Sequence, residues 1–305
     1  MATDSLKSDG LLLFTAMIWG FAFVAQRIGM DYVGPFTFNG VRFALGALVL
    51  APIALKSRRA LGAAAPRPLW SDRKTVLGGG LLAGTALFLG ASLQQVGLVY
   101  TTAGKAGFIT GLYVVLVPIL GLLFAQRTHA GTWLGALLAA VGLYLLSVNE
   151  SFGIDVGDWL ELVGALMWAA HVLIIGWLSP KMDPSRLALV QYAACSALSL
   201  LSALCFETTT LAAIGQAAGP ILYGGVLSVG VAYTLQVVAQ RHAHPAHAAI
   251  LLSLEAVFAA LGGWLVLDEI LPLRGLIGCG LMLCGMLLSQ LYGFILHRFS
   301  LPAKG

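Results

Sequence analysis

The chain has 305 residues, 59% of them hydrophobic and 10% charged, with a formal net charge of +4 and a mean hydropathy of +0.91. Soluble globular domains carry about 25% charged residues, so the composition excludes a soluble fold and describes a polytopic membrane protein. Its basic residues are spread through short loops beside apolar runs, which speaks against nucleic acid as a partner and makes them reporters of topology in a lipid bilayer.

A hydrocarbon core about 30 Å thick takes about 20 apolar residues per helix, and backbone groups inside it must be paired within the segment. Repeated runs of that length read as an all-α bundle, whereas the alternating ten-residue strands of an outer-membrane barrel fit badly. In chain order, transmembrane helices are predicted at 11–29, 36–55, 75–99, 103–125, 130–148, 158–178, 186–206, 217–239, 246–267 and 273–297. The polar opening MATDSLKSDG, residues 1–10, is unlike a cleaved signal peptide because strongly basic residues come only after the second segment. The first helix is therefore expected to remain, with 1–10 and 298–305 as tails. Cys195, Cys205, Cys279 and Cys284 fall inside apolar runs without CxxC spacing and read as small buried hydrophobes.

With the N-terminus inside, thirteen of the seventeen basic residues lie in cytoplasmic segments: Lys7, Lys56, Arg58, Arg59, Arg67, Arg73, Lys74, Arg127, Lys181, Arg186, Arg241, Arg298 and Lys304. The outer loops hold Asp31, Glu150, Asp155, Asp158, Glu207, Asp268 and Glu269. The positive-inside rule then predicts both termini in the cytoplasm; the expected location is a bacterial inner membrane.

An internal repeat is visible. A shift of 149 aligns Ala16 with Ala165, Trp19 with Trp168, Pro35 with Pro184 and Ala44 with Ala193. Further on, a shift of 143 aligns Ala103 with Ala246, Val114 with Val257, Gly135 with Gly278, Leu138 with Leu281 and Gly142 with Gly285. The six-residue difference falls across the basic loop at 56–74. The predicted units are 11–148 and 158–297, five helices each. An odd helix number inverts the second unit in the membrane, and inverted repeats are a signature of alternating-access transporters with a site at the repeat interface. Gly80xxxGly84, Gly107xxxGly111 and Gly131xxxGly135 suit close helix approach, for sliding or for static packing.

Two stretches carry a family resemblance. AMIWGFAFVAQRIGMDYVGPFTFNGVRFALGALVLAP, with Trp-Gly in the first helix and Pro before an Arg-bearing second helix, resembles the opening of EamA-type members of the drug/metabolite transporter superfamily. HPAHAAILLSLEAVFAALGGWLVLDEILPLRGLIGCGLMLCGMLL resembles that family's end, where one Glu opens the core of the ninth helix and another precedes the tenth. The likeness covers about 11–297. Ala256 stands where relatives commonly have proline, and Gln126, the repeat mate of Glu269, where they commonly have Glu. The resemblance implies two inverted five-helix repeats in a "basket" fold that exports or exchanges small metabolites; the YddG-type members handle amino acids. Small multidrug relatives use a Glu in the first helix, and here no acid lies between Leu11 and Met30.

Charges at bilayer depth cost about 2.5 to 3.5 kcal/mol on insertion scales, so such residues face a cavity or a partner. Arg42 lies about 9 Å into the second segment and Glu255 about 14 Å into the ninth, near the midplane. Arg42 is either a fork for a substrate carboxylate or a structural tie to carbonyls or to Glu255. Glu255 is a partner for a substrate ammonium, a protonatable switch, or a fixed lock between helices; gating or coupling is its leading role here, shared with Lys105. Lys105 and Glu161 sit near outer helix ends, within reach of the interface by snorkelling. Trp19 and Trp168 form either an aromatic wall or packing, and His171, one turn beyond Trp168, is hydrogen-bonded structure or a proton relay. Asn39, Gln94, Gln191, Gln236, Tyr113, Tyr192 and Tyr233 add neutral hydrogen-bonding groups suited to a zwitterion, with Gln95 beside them. HAHPAH, with His242, His244 and His247, has no carboxylate or cysteine nearby in sequence, so no metal is expected, and nothing implies a cofactor.

The leading reading is thus a secondary transporter of small polar metabolites, amino acids first, with a cavity between segments 1–4 and 6–9. Nucleotide sugars, sugar phosphates or drug-like compounds are the alternatives. An enzyme lacks its Ser/His/Asp set, HExxH or nucleotide loop, and a channel lacks a repeated filter. Monomer and dimer both fit.

Overall fold

Runs of Leu, Ala, Val and Gly coil into helices because lipid leaves the backbone no other partner. The computed structural model describes residues 2–60, 73–126, 128–147, 156–268, 270 and 273–299, and among these there is no strand. The elements are α1 (Ala2–Gly29), α2 (Pro35–Ala60), α3 (Arg73–Tyr100), α4 (Ala103–Gly111), α5 (Tyr113–Leu123), α6 (Ala130–Ser147), α7 (Val156–Leu178), α8 (Pro184–Phe206) and the short α9 (Leu211–Gln216). They continue with α10 (Ala218–Leu222), a π-helical segment (Tyr223–Tyr233), α11 (Thr234–Ala239), α12 (Pro245–Leu252), α13 (Glu255–Val266) and α14 (Leu273–Phe299).

Eight spans are long and apolar enough to cross a membrane, and two shorter apolar stretches, Ala130–Gly142 and Leu273–Leu288, fall in α6 and α14. They occupy the ten predicted positions, so the molecule is an all-α polytopic membrane protein. Polarity is arranged accordingly: Leu48, Leu82, Leu123, Phe206 and Trp264 face outward, while Gln26, Asn39, Arg42, Gln94, Glu161, His171, Gln191, Gln236 and Glu255 are buried. Apolar side chains lose nothing against lipid, whereas polar ones must find protein.

α2 packs on α8, α3 on α7 and α8, and α1 on α13 and the π-helical segment, while α6 and α14 pair at the flank. Small residues set these distances. A Cβ at Gly20 would lie 2.6 Å from the Glu255 carbonyl and 2.8 Å from the Ala259 nitrogen, so α1 and α13 touch backbone to backbone. At the flank, a Cβ at Gly142 would meet the Gly278 carbonyl at 2.5 Å, and one at Gly285 the Gly135 carbonyl at 2.6 Å. These four glycines are the pairs aligned by the 143-residue shift. Gly84 likewise admits Ala194 and Gln191 of α8.

Two membrane spans are interrupted at corresponding places. Leu112 separates α4 from α5, and Ser253 and Leu254 separate α12 from α13, each through tight i→i−3 bonds such as Val115 N to Leu112 O at 3.0 Å and Val257 N to Leu254 O at 3.0 Å. Short 3₁₀ turns inside a helix mark hinges. The second interruption forms although Ala256 replaces the family's proline. There the Ser253 hydroxyl takes the Ile250 carbonyl at 2.8 Å and competes with the helical ladder.

The structure differs from the sequence reading in several particulars. α1 begins at Ala2 rather than near Leu11, and Ser8 within it is buried. Glu161 does not snorkel to an interface; it is 0% exposed. The eighth predicted helix is π-helical over Tyr223–Tyr233, between the α-helical α10 and α11. Arg67, Arg127, Glu150, Asp155, Glu269 and Lys304 lie outside the described residues, as do the loop at 61–72 and residues 300–305 of the expected C-terminal tail.

Candidate functional site

Where the spans converge, a narrow cavity of about 30 Å³ is walled by residues from both halves of the chain. α1 contributes Trp19, Ala22, Phe23 and Gln26; α2, Arg42; α3, Gln94; α4, Thr110; α5, Tyr113; α7, Trp168 and Val172. The π-helical segment supplies Ser228 and Tyr233, with Gln236, Leu252 and Glu255 completing the lining from α11, α12 and α13.

Arg42 is 2% exposed. Its Nε donates to Asn39 Oδ1 at 2.9 Å, and Asn39 Nδ2 donates to the Ala91 carbonyl at 3.0 Å. The guanidinium carbon lies 5.4 Å from the Phe38 ring centroid and 5.0 Å from that of Phe43, close enough for cation–π attraction. Gly224 of the π-helical segment leaves room for its aliphatic stem, since a Cβ there would lie 3.2 Å from Arg42 Cδ. The cation is thus positioned through one nitrogen and two ring faces. Among the described residues it makes no ion pair with a carboxylate, so the expected alternative of a tie to Glu255 is not realised.

Glu255 is the first residue of α13, where the end of a helix favours negative charge. The Tyr113 hydroxyl lies beside its carboxyl and has no hydrogen-bond partner among the described residues. Gln236 Oε1, also on the cavity wall, is unpartnered in the same sense.

An aromatic cluster shares the cavity wall with Arg42 and Glu255. Trp19 and Trp168, symmetry mates in the sequence, both pack on Tyr233, with centroids 4.4 Å and 6.1 Å away. Trp168 Nε1 donates to Gln94 Oε1 at 2.9 Å, and Gln94 Nε2 donates to Gln26 Oε1 at 3.1 Å. Trp19 Nε1 reaches the Ser228 carbonyl at 3.4 Å, one of three bonds from α1 to the π-helical segment, with Thr15 Oγ1 to Ala232 O at 3.3 Å and Tyr223 Oη to Ile18 O at 3.0 Å.

Of the thirteen candidates from sequence, eight line the cavity: Trp19, Arg42, Gln94, Tyr113, Trp168, Tyr233, Gln236 and Glu255. Four stand behind the wall. Asn39 holds Arg42; His171 and Gln191 bond each other at 2.9 Å; Tyr192 Oη bonds Thr234 Oγ1 at 3.0 Å while its ring meets Tyr233. The remaining one, Lys105, is elsewhere, with its Nζ 2.5 Å from Asp158 Oδ2. Gln26, Thr110 and Ser228 were missed, because neutral polar residues on apolar helices have no distinguishing pattern. The histidine run also needs correcting: Asp9 of α1 supplies a carboxylate 3.0 Å from His247 Nε2, and His244 Nδ1 accepts from Ala246 N at 3.3 Å to cap α12. Partial burial, with His129 and His247 nearby, lowers the pKa of His244 from its ordinary value.

Known proteins resemble this chain throughout. The profile of the EamA-like transporter family matches residues 6–148 and again 155–291. A protein of Archaeoglobus fulgidus named an uncharacterized transporter is 36% identical over 287 residues, covering 94% of this chain and 86% of its own. The uncharacterized transporter YoaV of Bacillus subtilis is 22% identical over 285 residues, covering 91% and 94%. The uncharacterized inner membrane transporter YedA of Escherichia coli is 27% identical over 170 residues, about half of each chain. A solved crystal structure superposes with a TM-score of 0.74 at 19% identity, covering 93% of this chain and 98% of that one. With two matches of the family profile and a helical bundle enclosing a polar cavity, the chain belongs to the EamA-like transporter family of the drug/metabolite transporter superfamily.

Proposed function

We propose that this transporter moves small zwitterionic metabolites, amino acids foremost, across a bacterial inner membrane in the export direction, with both termini cytoplasmic. The observation that carries the reading is that a buried guanidinium, Arg42, and a buried carboxyl, Glu255, border one cavity without pairing with each other. A carboxylate suits the guanidinium fork, and an ammonium suits Glu255 with the faces of Trp19, Trp168 and Tyr233. Arg42 is the single Arg or Lys in the lining among the described residues, and Lys105 is engaged by Asp158; phosphate-rich substrates favour several clustered cations.

The cavity volume of about 30 Å³ is far below the several hundred Å³ of small-molecule sites, so admitting a solute requires the walls to part. The two halves are read as inverted five-helix repeats, 11–148 and 158–297, that rock about the cavity in alternating access. Counterflow of a labelled amino-acid panel in proteoliposomes tests this directly. Saturable uptake of at least one amino acid, abolished in Arg42→Gln, is expected; absence of saturable flux across the panel would remove amino acids as the substrate class.

A further inference from the structure

Beyond the central cavity lies a second buried carboxyl, Glu161 of α7, 0% exposed. Its Oε2 accepts from Thr110 Oγ1 at 3.1 Å, and its Oε1 has no hydrogen-bond partner among the described residues. That oxygen packs against the bare α-carbon of Gly97 on α3, where a Cβ would come within 2.7 Å. One turn earlier, Asp158 is met by Lys105 at 2.5 Å and lies 3.4 Å from Thr101 Oγ1. An ionised Glu161 therefore leaves this cluster with one uncompensated negative charge inside a membrane span, whereas a protonated Glu161 leaves it neutral. The former is the costlier arrangement.

We propose that Glu161 is a proton-binding site linked to the cavity through Thr110, so that proton occupancy decides which hydrogen bond Thr110 offers a solute. The proposal rests on the transport reading above. Thr110 is placed for this role twice over: it lines the cavity, and it sits in the last turn of α4, directly before the interruption at Leu112. With Glu161 ionised, the Thr110 hydroxyl hydrogen is committed to Oε2 and the cavity meets only oxygen lone pairs. A proton from the bulk adds to the carboxylate; Glu161 then donates to Thr110 Oγ1, and the hydroxyl hydrogen turns to an acceptor on the solute. Release of the proton reverses the exchange, so one O–H bond forms and breaks per cycle and nothing is oxidised. Apart from Arg73 and Lys74 at the start of α3, the other titratable groups on α7 and the elements packed on it are Asp158 and His171 on α7 itself, the latter bound to Gln191, Tyr100 at the end of α3, Lys105 on α4, Tyr113 on α5 and His247 on α12, which is bound to Asp9. α3 carries no charged residue after Lys74.

Infrared difference spectra of the full chain in liposomes, titrated from about pH 5 to 9 to span the range of perturbed carboxyls, read the site without a substrate. With Glu255→Gln as the background, so that this second buried carboxyl does not contribute, a carbonyl stretch of a protonated carboxylic acid is expected to titrate and to vanish when Glu161→Gln is added. Thr110→Val, added instead, is expected to keep the band and move its midpoint by about one pH unit, the scale of a hydrogen bond to a charged group. This variant decides the matter even where Glu161→Gln does not fold. In counterflow with labelled amino acids, Glu161→Gln is expected to retain exchange and lose acceleration by a pH gradient. The proposal is overturned by a Glu255→Gln variant without a titrating band, by a band that survives the addition of Glu161→Gln to that background, by an unmoved midpoint when Thr110→Val is added instead, or by gradient-driven flux in Glu161→Gln. A band that titrates in Glu255→Gln beside a wild type that exchanges no amino acid defeats the substrate reading and leaves the proton site standing.

Discussion

Arg42 is held by geometry that another cation does not reproduce. Its planar guanidinium lies over the rings of Phe38 and Phe43 and uses Nε on Asn39, which leaves its terminal nitrogens as the part that would meet a solute in the proposed transport cycle. Lysine keeps the charge but has neither the plane nor the fork. Arg42→Lys is expected to lower transport by about 10- to 100-fold, the worth of a charge-assisted bidentate contact of about 1.5–3 kcal/mol, measured as kcat/KM in counterflow, with the protein still folded. Asn39→Ala should produce a smaller loss, since it frees the fork without removing it. At this scale the sequence was informative where residues are rare: an Arg and a Glu inside apolar runs, and two Trp in matching register, all reached the cavity wall. It was mute about Gln26, Thr110 and Ser228, because which face of a helix carries a neutral amide or hydroxyl to the cavity depends on packing. It was also mute about Asp9 meeting His247, a pair 238 positions apart in the chain.

Among the elements, α1 meets α13 at Gly20 through the Phe258 Cβ and the backbone on either side of it. A methyl group there meets the Glu255 carbonyl and the Ala259 nitrogen, backbone atoms that cannot swing aside. Gly20→Ala gains up to about 1 kcal/mol of helix propensity but incurs an overpacking cost of about 1–3 kcal/mol or more. The net expectation is a lower melting temperature in detergent and a displaced Glu255. The Trp-Gly pair noted in the sequence thus has two jobs, wall and close contact. The start of α12 is sensitive to acid. His244 caps it through Nδ1, an acceptor that protonation removes. Because its native pKa is lowered, the unfolded chain binds the proton more readily; the stabilisation is fully present above the ordinary histidine value of about 6.5 and is lost as pH falls below it. His244→Asn keeps a capping side chain without titration, so its melting temperature should decline less than that of the wild type between about pH 7 and 5. Helix positions were legible from hydropathy, since a span needs its apolar length. The interruptions at Leu112 and Ser253 and the π-helical turn were not, because no proline marks them and their hydrogen bonds are chosen by neighbouring helices.

For the whole molecule, the hydrogen bonds between the halves around the cavity are joined by ties of charged side chains at opposite ends. At one end, Glu207 of α8 caps the start of α2, its carboxylate accepting from Phe36 N at 2.7 Å, Thr37 N at 2.8 Å and Thr37 Oγ1 at 2.6 Å, and Lys105 of α4 pairs with Asp158 of α7. At the other, Asp9 of α1 bonds His247 of α12. Under the alternating access proposed above, access from either end requires the ties at that end to open while the others hold, and a ligand or mutation shifts the balance only by what it removes from one state. Glu207→Ala removes three charge-assisted bonds from the state closed at its end. Such bonds are each worth about 1.5–3 kcal/mol before compensation by water, so a shift on the order of tenfold or more toward the state open at that end is expected. A reporter Ser228→Cys in a background without Cys195, Cys205, Cys279 and Cys284 measures it in sealed vesicles. Labelling by a membrane-impermeant thiol reagent applied from the Glu207 side should accelerate in Glu207→Ala, whereas Asp9→Ala should accelerate labelling from the opposite side. Equal acceleration from both sides would mean general loosening instead of a population shift, and unchanged labelling would mean that these ties do not restrain the halves.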